Sequence, residues 1–162
     1  MTETMLHTTI ESPVGDLLLI GDEQRLHGLH MQGGRRPATV ASDWKSAREP
    51  FAAAREQLAE YFGGERTEFD LPLAPVGTQF QEQVWGALRR VPYGRTASYG
   101  EIARGIGHPT ASRAVGMANG SNPISIIVPC HRVIGTDGKL TGYAGGVERK
   151  RFLLQLEGVT AL

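Results

Sequence analysis

Short apolar stretches separated by turn residues open the chain and predict strands. Apolar or alternating residues occupy Leu6 to Ile10, Leu17 to Ile20 and Leu26 to Met31. The segments between them, Ser12-Pro13-Val14-Gly15 and Gly21-Asp22-Glu23, have the composition of turns. The pattern therefore predicts an antiparallel meander.

A helical pattern follows these predicted strands. From about Ala47 to Phe62 the apolar residues recur at helical spacing, at Phe51, Ala54, Leu58, Tyr61 and Phe62. Gly63-Gly64 ends this pattern, as glycine does at many helix ends. We expect a strand over Phe69 to Leu73 that returns to the sheet.

The stretch Ala74 to Thr78 is the best boundary within the chain. It combines helix-breaking residues with a change in charge, from 7 Lys/Arg and 12 Asp/Glu before it to 10 and 5 after it. We therefore predict one domain over 1–77 and a second over 78–162. The second is basic, so a polyanion such as nucleic acid would bind there, unless the segregation of charge is accidental.

The pattern in the second part of the chain predicts helices. Phe80, Val84, Trp85 and Leu88 share one face of a helix that starts near Thr78. Ser98 and Glu101 have the spacing of a capping box and predict a short helix to about Gly105.

A further helix is expected to follow, with Thr110 as its cap. This helix would carry on or near its inner face the residues Ala111, Ala114, Val115, Met117 and Ala118. Two short helices joined by a turn containing glycine form a helix-turn-helix, a motif also found in enzymes that do not bind DNA. The small residues of the second helix supply few base-reading side chains, so a regulator that reads DNA sequence is disfavoured. Its long polar residue Arg113 could enter the base stack or only contact phosphate or a carboxylate.

The single cysteine, Cys130, follows the apolar run Ile126 to Pro129 and precedes His131 and Arg132. Neighbouring cationic side chains favour the thiolate, which is the nucleophilic form, whereas a buried structural thiol is inert. Local sequence leaves both readings open. One cysteine excludes an intramolecular disulfide and a cysteine-based zinc site.

Composition also suggests where the protein acts. The start Met1 to Met5 lacks the features of a secretory signal, and no apolar run reaches the length of a membrane span. We expect a cytoplasmic protein that does not bind membranes.

The residues around Cys130 resemble a known family. Pro129 to Val133, preceded by Asn122-Pro123 and followed by Gly142 to Gly146, is similar to the motif of the O6-alkylguanine-DNA alkyltransferases, and the match extends over about 78–158. The resemblance implies an α+β fold. A small ribonuclease H-like antiparallel sheet with a helix would precede a mostly helical, winged-helix-like part containing the helix-turn-helix.

The family's chemistry implies a role for each matching residue. Cys130 would accept the alkyl group once and irreversibly, while His131 and Glu157 would relay the thiol proton through a bridging water. Glu157 could instead be a surface charge at a helix end. Tyr99 would donate to guanine N3, although it could be a packing aromatic, and Asn122 would be a hinge or an ordinary turn residue.

The resemblance also implies DNA contacts and a pocket for the flipped base. DNA contacts would come from Thr110, Arg113, Ala114, Gly116, Met117, Asn119 and Gly120. The pocket would be formed by Ser125, Val133, Tyr143, Ala144 and Gly145. Arg113 would fill the gap that the flipped nucleotide leaves. Ala144 stands where serine is frequent in the family, so a hydroxyl contact to O6 would be absent. Ser125 stands where some relatives have proline, which would make the pocket roomier.

Partners and cofactors follow from the same resemblance. The expected partner is double-stranded DNA carrying O6-alkylguanine, and O4-alkylthymine is a second expected substrate. We expect a monomer that can bind cooperatively along DNA, with no cofactor. Some relatives bind a structural zinc in the first domain, where the only candidates in this chain are His7, His27 and His30. Without cysteine partners we predict no metal.

Two other functions stay open from the residues. A DNA-binding protein that senses lesions without transfer would have its cysteine replaced, so Cys130 disfavours it. A thiol hydrolase would use Cys130 and His131 but would need neither Arg113 nor the basic second part.

Overall fold

A computed structural model describes residues 5–33, 39–140 and 142–160. The start of the chain, from which the lack of a secretory signal is predicted, lies outside the described residues except for Met5.

The first part of the chain forms a four-stranded sheet in the order β3-β2-β1-β4. Its strands are β1 Leu6–Ile10, β2 Leu17–Gly21, β3 Leu26–Met31 and β4 Lys45–Ser46. The first three form the predicted antiparallel meander, with Thr8 opposite Leu19. The sheet is mixed rather than wholly antiparallel, because β4 pairs in parallel with β1. β4 consists of two exposed residues, too short a stretch for a strand pattern in the sequence.

The helix of the first part is α1, Ala52–Phe62, which packs through the buried residues Ala54, Leu58 and Tyr61. A 3₁₀ turn over Glu49–Phe51 precedes it, so the α-helix starts later than predicted. Pro50 explains this start, since proline is tolerated in the first turn of a helix but not in its interior.

The strand expected over Phe69 to Leu73 is wrong. The segment makes one isolated bridge, between Leu73 and Leu26, where Leu26 N donates to Pro72 O at 2.9 Å and Ala74 N donates to Leu26 O at 2.8 Å. Pro72 has no N–H group, so the segment cannot continue a regular ladder.

The second part is mostly helical, as predicted. Its elements are α2 Gln79–Arg89, β5 Ala97–Ser98, α3 Tyr99–Gly105, α4 Ser112–Gly120, β6 Val133–Ile134 and α5 Val147–Leu156. The capping box of Ser98 and Glu101 is confirmed at the start of α3. Helices α3 and α4 pack on each other and on α2, which gives the expected helix-turn-helix. None of the described helices could span a membrane.

The predicted cap at Thr110 is wrong. Ala111 precedes α4 and makes no side-chain cap hydrogen bond. Ala111 N donates to His108 O at 3.0 Å, so Thr110 lies inside a turn and the helix begins two residues later.

The two parts share one hydrophobic core. Leu29 N donates to Pro123 O at 2.9 Å, and Ser125 N donates to Leu29 O at 3.0 Å. Leu29 and Ile124 are fully buried at this junction. The edge strand β3 is thus hydrogen-bonded to the segment that leads to Cys130, and the α+β fold is confirmed.

Candidate active site

Cys130 lies at the start of a 3₁₀ turn, Cys130–Arg132, between the buried apolar segment and β6. Arg132 N donates to Pro129 O at 3.0 Å, which closes the turn. Ile126 has a φ of 72°, a left-handed conformation that changes the direction of the backbone in the segment before Cys130. The thiol is buried, with 4% of the residue exposed.

Asn122 connects the end of α4 to the segment before the cysteine. Its Nδ2 donates to Val128 O at 2.8 Å and to Ile124 O at 3.3 Å, and its Oδ1 accepts from Ile124 N at 3.0 Å. These bonds satisfy three buried backbone groups in an irregular segment. The amide of Asn122 therefore fixes the backbone that carries Cys130.

Three polar side chains face the Cys130 thiol. Burial raises the pKa of Cys130, while the polar side chains of Asn122 and Tyr143 and the charge of Lys150 oppose that effect. The net direction is upward, so the resting group is a thiol. A base is needed to form the thiolate.

Lys150 is a fully buried cation beside this thiol. Its Nζ donates to Val133 O at 2.5 Å. Burial lowers the pKa of Lys150 to about 8, although the nearby Cys130 opposes this effect. At neutral pH the group is therefore still mostly protonated and would stabilise a negative charge on sulfur.

His131 is the candidate base. It is fully buried, and its Nε2 lies 2.7 Å from Glu157 Oε2. Burial lowers the pKa of His131, so the imidazole is neutral at rest, and the hydrogen bond to a carboxylate assigns the proton to Nε2. Nδ1 is buried without a hydrogen-bond partner among the described residues. It is therefore an acceptor available to a proton.

Glu157 lies at the centre of a buried polar network. Arg132 Nε donates to Oε1 at 2.7 Å and Nη2 donates to Oε2 at 3.1 Å, while Tyr61 OH donates to Oε2 at 2.5 Å. Burial favours the neutral acid, but hydrogen bonds from His131 and Arg132 prevail and lower the pKa of Glu157 to about 2. We call Tyr61, His131, Arg132 and Glu157 the Glu157 cluster.

From the sequence, Glu157 could be either a member of the proton relay to Cys130 or an exposed charge at a helix end. The structure buries it at the residue that caps α5, immediately after Leu156, rather than in the helix interior. Its surface alternative is therefore wrong, since 4% of the residue is exposed.

Three site residues were missed by sequence reasoning. Lys150 had a signal, because it shares helical spacing with the buried Leu153, Leu154 and Glu157. Arg132 was read only as part of the motif. Tyr61 was assigned to the apolar face of α1, and nothing in the local sequence indicates that its hydroxyl reaches Glu157.

A cleft of about 570 Å³ adjoins the site and brings several predicted residues together. Its lining includes Ala114, Gly116, Met117, Gly120, Tyr143 and Ala144. Met117 is 78% exposed on the outer face of α4, and Arg113 is exposed at the start of the helix. Tyr99 packs against Gly116. The positions on or near the inner face that were predicted for Ala114 and Met117 are wrong, because both residues are exposed.

Asn119 does not belong to the exposed face of α4. It is 3% exposed, and its Nδ2 donates to Cys130 O at 3.3 Å. Val115, Ala118 and Asn119 share the inner face through their helical spacing. The predicted DNA contact by the Asn119 side chain is corrected to a bond with the acceptor segment.

Of the remaining predicted pocket residues, Ser125 and Gly145 line a second cavity of about 220 Å³, whereas Val133 lines neither cavity. Ala144, His30 and Asn122 also line this second cavity. Val133 is fully buried and offers its carbonyl to Lys150. Thr110 is exposed before α4.

The candidate zinc residues are not gathered into a site. His27 Nε2 lies 2.7 Å from Asp22 Oδ2 in a partly buried pair. Across residues 5–33, 39–140 and 142–160, no group of three or more His, Cys, Asp or Glu side chains is arranged to hold a metal ion.

Two family models match this chain, one over each of its two parts. The family model described as 6-O-methylguanine DNA methyltransferase, ribonuclease-like domain, matches residues 5–75. The model described as 6-O-methylguanine DNA methyltransferase, DNA binding domain, matches residues 79–159.

Individual relatives match over nearly their full length. The methylated-DNA--protein-cysteine methyltransferase of Methanosarcina acetivorans is 54% identical over 95% of this chain and 99% of its own length. The protein of that name from Mycobacterium bovis is 55% identical over 94% and 93%. The crystal structure of Mycobacterium tuberculosis OGT in complex with DNA has a TM-score of 0.89 at 53% identity and covers 96% of each chain.

Glu157→Gln tests the charge at the centre of the Glu157 cluster. The variant leaves Arg132 without its buried partner and should lower the free energy of unfolding at pH 7 by about 3–5 kcal/mol. An unfolded chain binds the Glu157 proton near pH 4.5 and the folded chain near about 2, so ionised Glu157 stabilises the fold above this interval. The difference between wild type and variant should therefore shrink as the pH falls through it, which urea unfolding would measure.

Glu148→Gln is the matched control for that experiment, because Glu148 is exposed in the first turn of the same helix. It should change the free energy of unfolding by less than about 0.5 kcal/mol. A loss in Glu157→Gln that is constant between neutral and acid pH would contradict the assignment.

Proposed function

Because the chain belongs to the 6-O-methylguanine DNA methyltransferase family, we propose that it repairs DNA by moving an alkyl group from guanine O6 to Cys130. The observation that carries this proposal is the buried Cys130 thiol, which faces Asn122, Tyr143 and Lys150. The next residue, His131, binds Glu157 through Nε2 and leaves Nδ1 without a partner among the described residues. Methyl transfer from methylated DNA to a protein cysteine is the activity named for the relatives.

The proposed reaction is one in-line displacement. Cys130 Sγ attacks the alkyl carbon, an S–C bond forms, and the bond between that carbon and O6 breaks. Its electron pair returns to the purine ring, where Tyr99 would donate a hydrogen bond to N3 and lower the energy of the developing charge. The product is a thioether that water does not cleave, so each molecule would act once.

The proton follows a separate path. It leaves the thiol for Nδ1 of His131, through a bridging water, and Glu157 stabilises the imidazolium that forms. Lys150 offsets the charge on sulfur before attack. The raised pKa of Cys130 means that the resting thiol has to lose its proton before it can attack, which supports the need for a base.

The geometry of α4 supports close approach to duplex DNA. Ala114, Gly116, Met117 and Gly120 share one cleft with the Tyr143 segment, and exposed small residues let a DNA groove come near. Thr110 and Arg113 would contact the DNA at the start of the helix. A structure solved with DNA is similar to this chain throughout, which supports DNA as the partner.

The target base has to leave the stack, because O6 in a duplex is not open to in-line attack by a thiolate. Arg113 would fill the resulting gap. Backbone groups of Val133 and Ala144 would contact the guanine, and Ser125 and Gly145 would border the alkyl group. O4-alkylthymine would be a second substrate.

We also propose the division into domains at 77/78, a monomer that can bind cooperatively along DNA, a cytoplasmic location, and transfer without a cofactor. The two family matches lie on either side of that boundary and support it.

Cys130→Ser tests the acceptor. A hydroxyl is a much weaker nucleophile at neutral pH, so methyl transfer from an O6-methylguanine duplex should be lost while affinity for that duplex is retained. Transfer is followed with a labelled methyl group and affinity by fluorescence anisotropy, with an unmodified duplex as control. Loss of both transfer and binding would count against this division of roles.

Arg113→Ala tests the proposed base-flipping step. Transfer from duplex DNA should slow by about 10²-fold if the extrahelical base is no longer stabilised, an effect of a few kcal/mol. Reaction with free O6-benzylguanine should change little, because no stack is opened. Arg104→Ala, an exposed arginine on α3, is the matched control and should affect both rates weakly. Equal losses on duplex and free base would contradict the role of Arg113.

A further inference from the structure

Tyr61 is the member of the Glu157 cluster that comes from the first part of the chain. It lies in α1, 96 residues before Glu157, and it is fully buried. Its hydroxyl donates to Glu157 Oε2 at 2.5 Å. His131 Nε2 lies 2.7 Å from the same oxygen. One carboxylate oxygen therefore connects the N-terminal helix with the candidate base.

We propose that Tyr61 is a positioning residue for alkyl transfer, whose hydroxyl fixes the Glu157 carboxylate and limits how strongly Glu157 holds a proton on His131. This assignment rests on the proposed function. It gives the N-terminal part of the chain a direct contribution to the reactive site, which the sequence did not reveal.

The tyrosine ring is held so that its hydroxyl has one direction. Its centroid lies 5.2 Å from that of Phe62, 5.4 Å from that of Phe69 and 6.3 Å from that of Tyr93. Burial and the neighbouring carboxylate raise the pKa of Tyr61 well above its usual value, so the group stays protonated. It therefore acts as a permanent donor to Glu157.

Arg132 also donates to this carboxylate, but unlike Tyr61 its side chain makes further contacts away from Glu157. Its guanidinium bonds Glu157 and Val91 O and lies 5.8 Å from the Tyr93 ring centroid. Tyr93 OH donates to Leu156 O at 3.3 Å, a backbone carbonyl and not the Glu157 carboxylate. Tyr93 is thus a natural comparison for Tyr61, since both lie in one aromatic cluster and only Tyr61 bonds Glu157.

The expected direction follows from the charges around Glu157. The groups that face His131 and Glu157 are Tyr61 from α1, Arg132 from the 3₁₀ turn and Lys150 from α5. Each hydrogen bond donated to the carboxylate spreads its charge and weakens its hold on the imidazolium proton. Without the Tyr61 hydroxyl, His131 should keep a proton up to a higher pH and be unavailable as a base.

Tyr61→Phe tests this in the full chain, with the rate of reaction with free O6-benzylguanine measured against pH. The limb over which the rate rises with pH should move upward by about 0.5–1 unit, which slows the reaction roughly 3- to 10-fold on its acid side. Phenylalanine keeps the aromatic packing and leaves no buried donor unpaired, so the variant should fold. Tyr93→Phe should leave the limb in place.

Two results would overturn the proposal: an unmoved limb in Tyr61→Phe, or an equal movement in Tyr93→Phe. The ¹⁵N shifts of the His131 ring give a second reading that needs no substrate, and they should show protonation at higher pH in Tyr61→Phe. If the wild type transfers no benzyl group while these shifts still move, the proposed function fails and the link between Tyr61 and His131 stands.

Discussion

A buried carboxylate organises this molecule. An ionised group in a protein interior is strongly unfavourable unless its oxygens are fully paired, and Glu157 meets that requirement with donors from Tyr61, His131 and Arg132. These donors come from a helix of the first part and from the turn that carries the cysteine. Correct pairing of one charge therefore requires α1, the 3₁₀ turn and the end of α5 to be in place together.

The same constraint shapes the chemistry of the thiol. Since Glu157 occupies Nε2 of His131, the other ring nitrogen is the acceptor, and its burial keeps bulk water from competing for it. Cys130 rests protonated beside the buried Lys150, so charge separation needs a substrate to proceed. An acceptor that can be used once benefits from such a resting state, because an exposed thiolate would be consumed by other electrophiles.

Periodicity predicted what depends on local pattern. The meander, α2, α3 and the Ser98 capping box were all recoverable, and the resemblance around Cys130 supplied His131 and Glu157. The errors lie where a backbone property or a tertiary contact overrides the local pattern. Pro72 interrupts a segment that has the pattern of a strand. The side chain of Asn119 points inward from α4, although the sequence placed it among the residues that contact DNA. The hydroxyl of Tyr61 could not be assigned, because an apolar helix face gives no sign of a partner 96 residues away.

The central claim is that the buried thiol at Cys130 is an alkyl acceptor that acts once. Intact-protein mass spectrometry after incubation with excess O6-methylguanine duplex, followed by peptide mapping, tests it most directly. The account predicts a gain of one methyl group on Cys130 and no further reaction after one equivalent. An unmodified Cys130 in protein that still binds the lesion would contradict it.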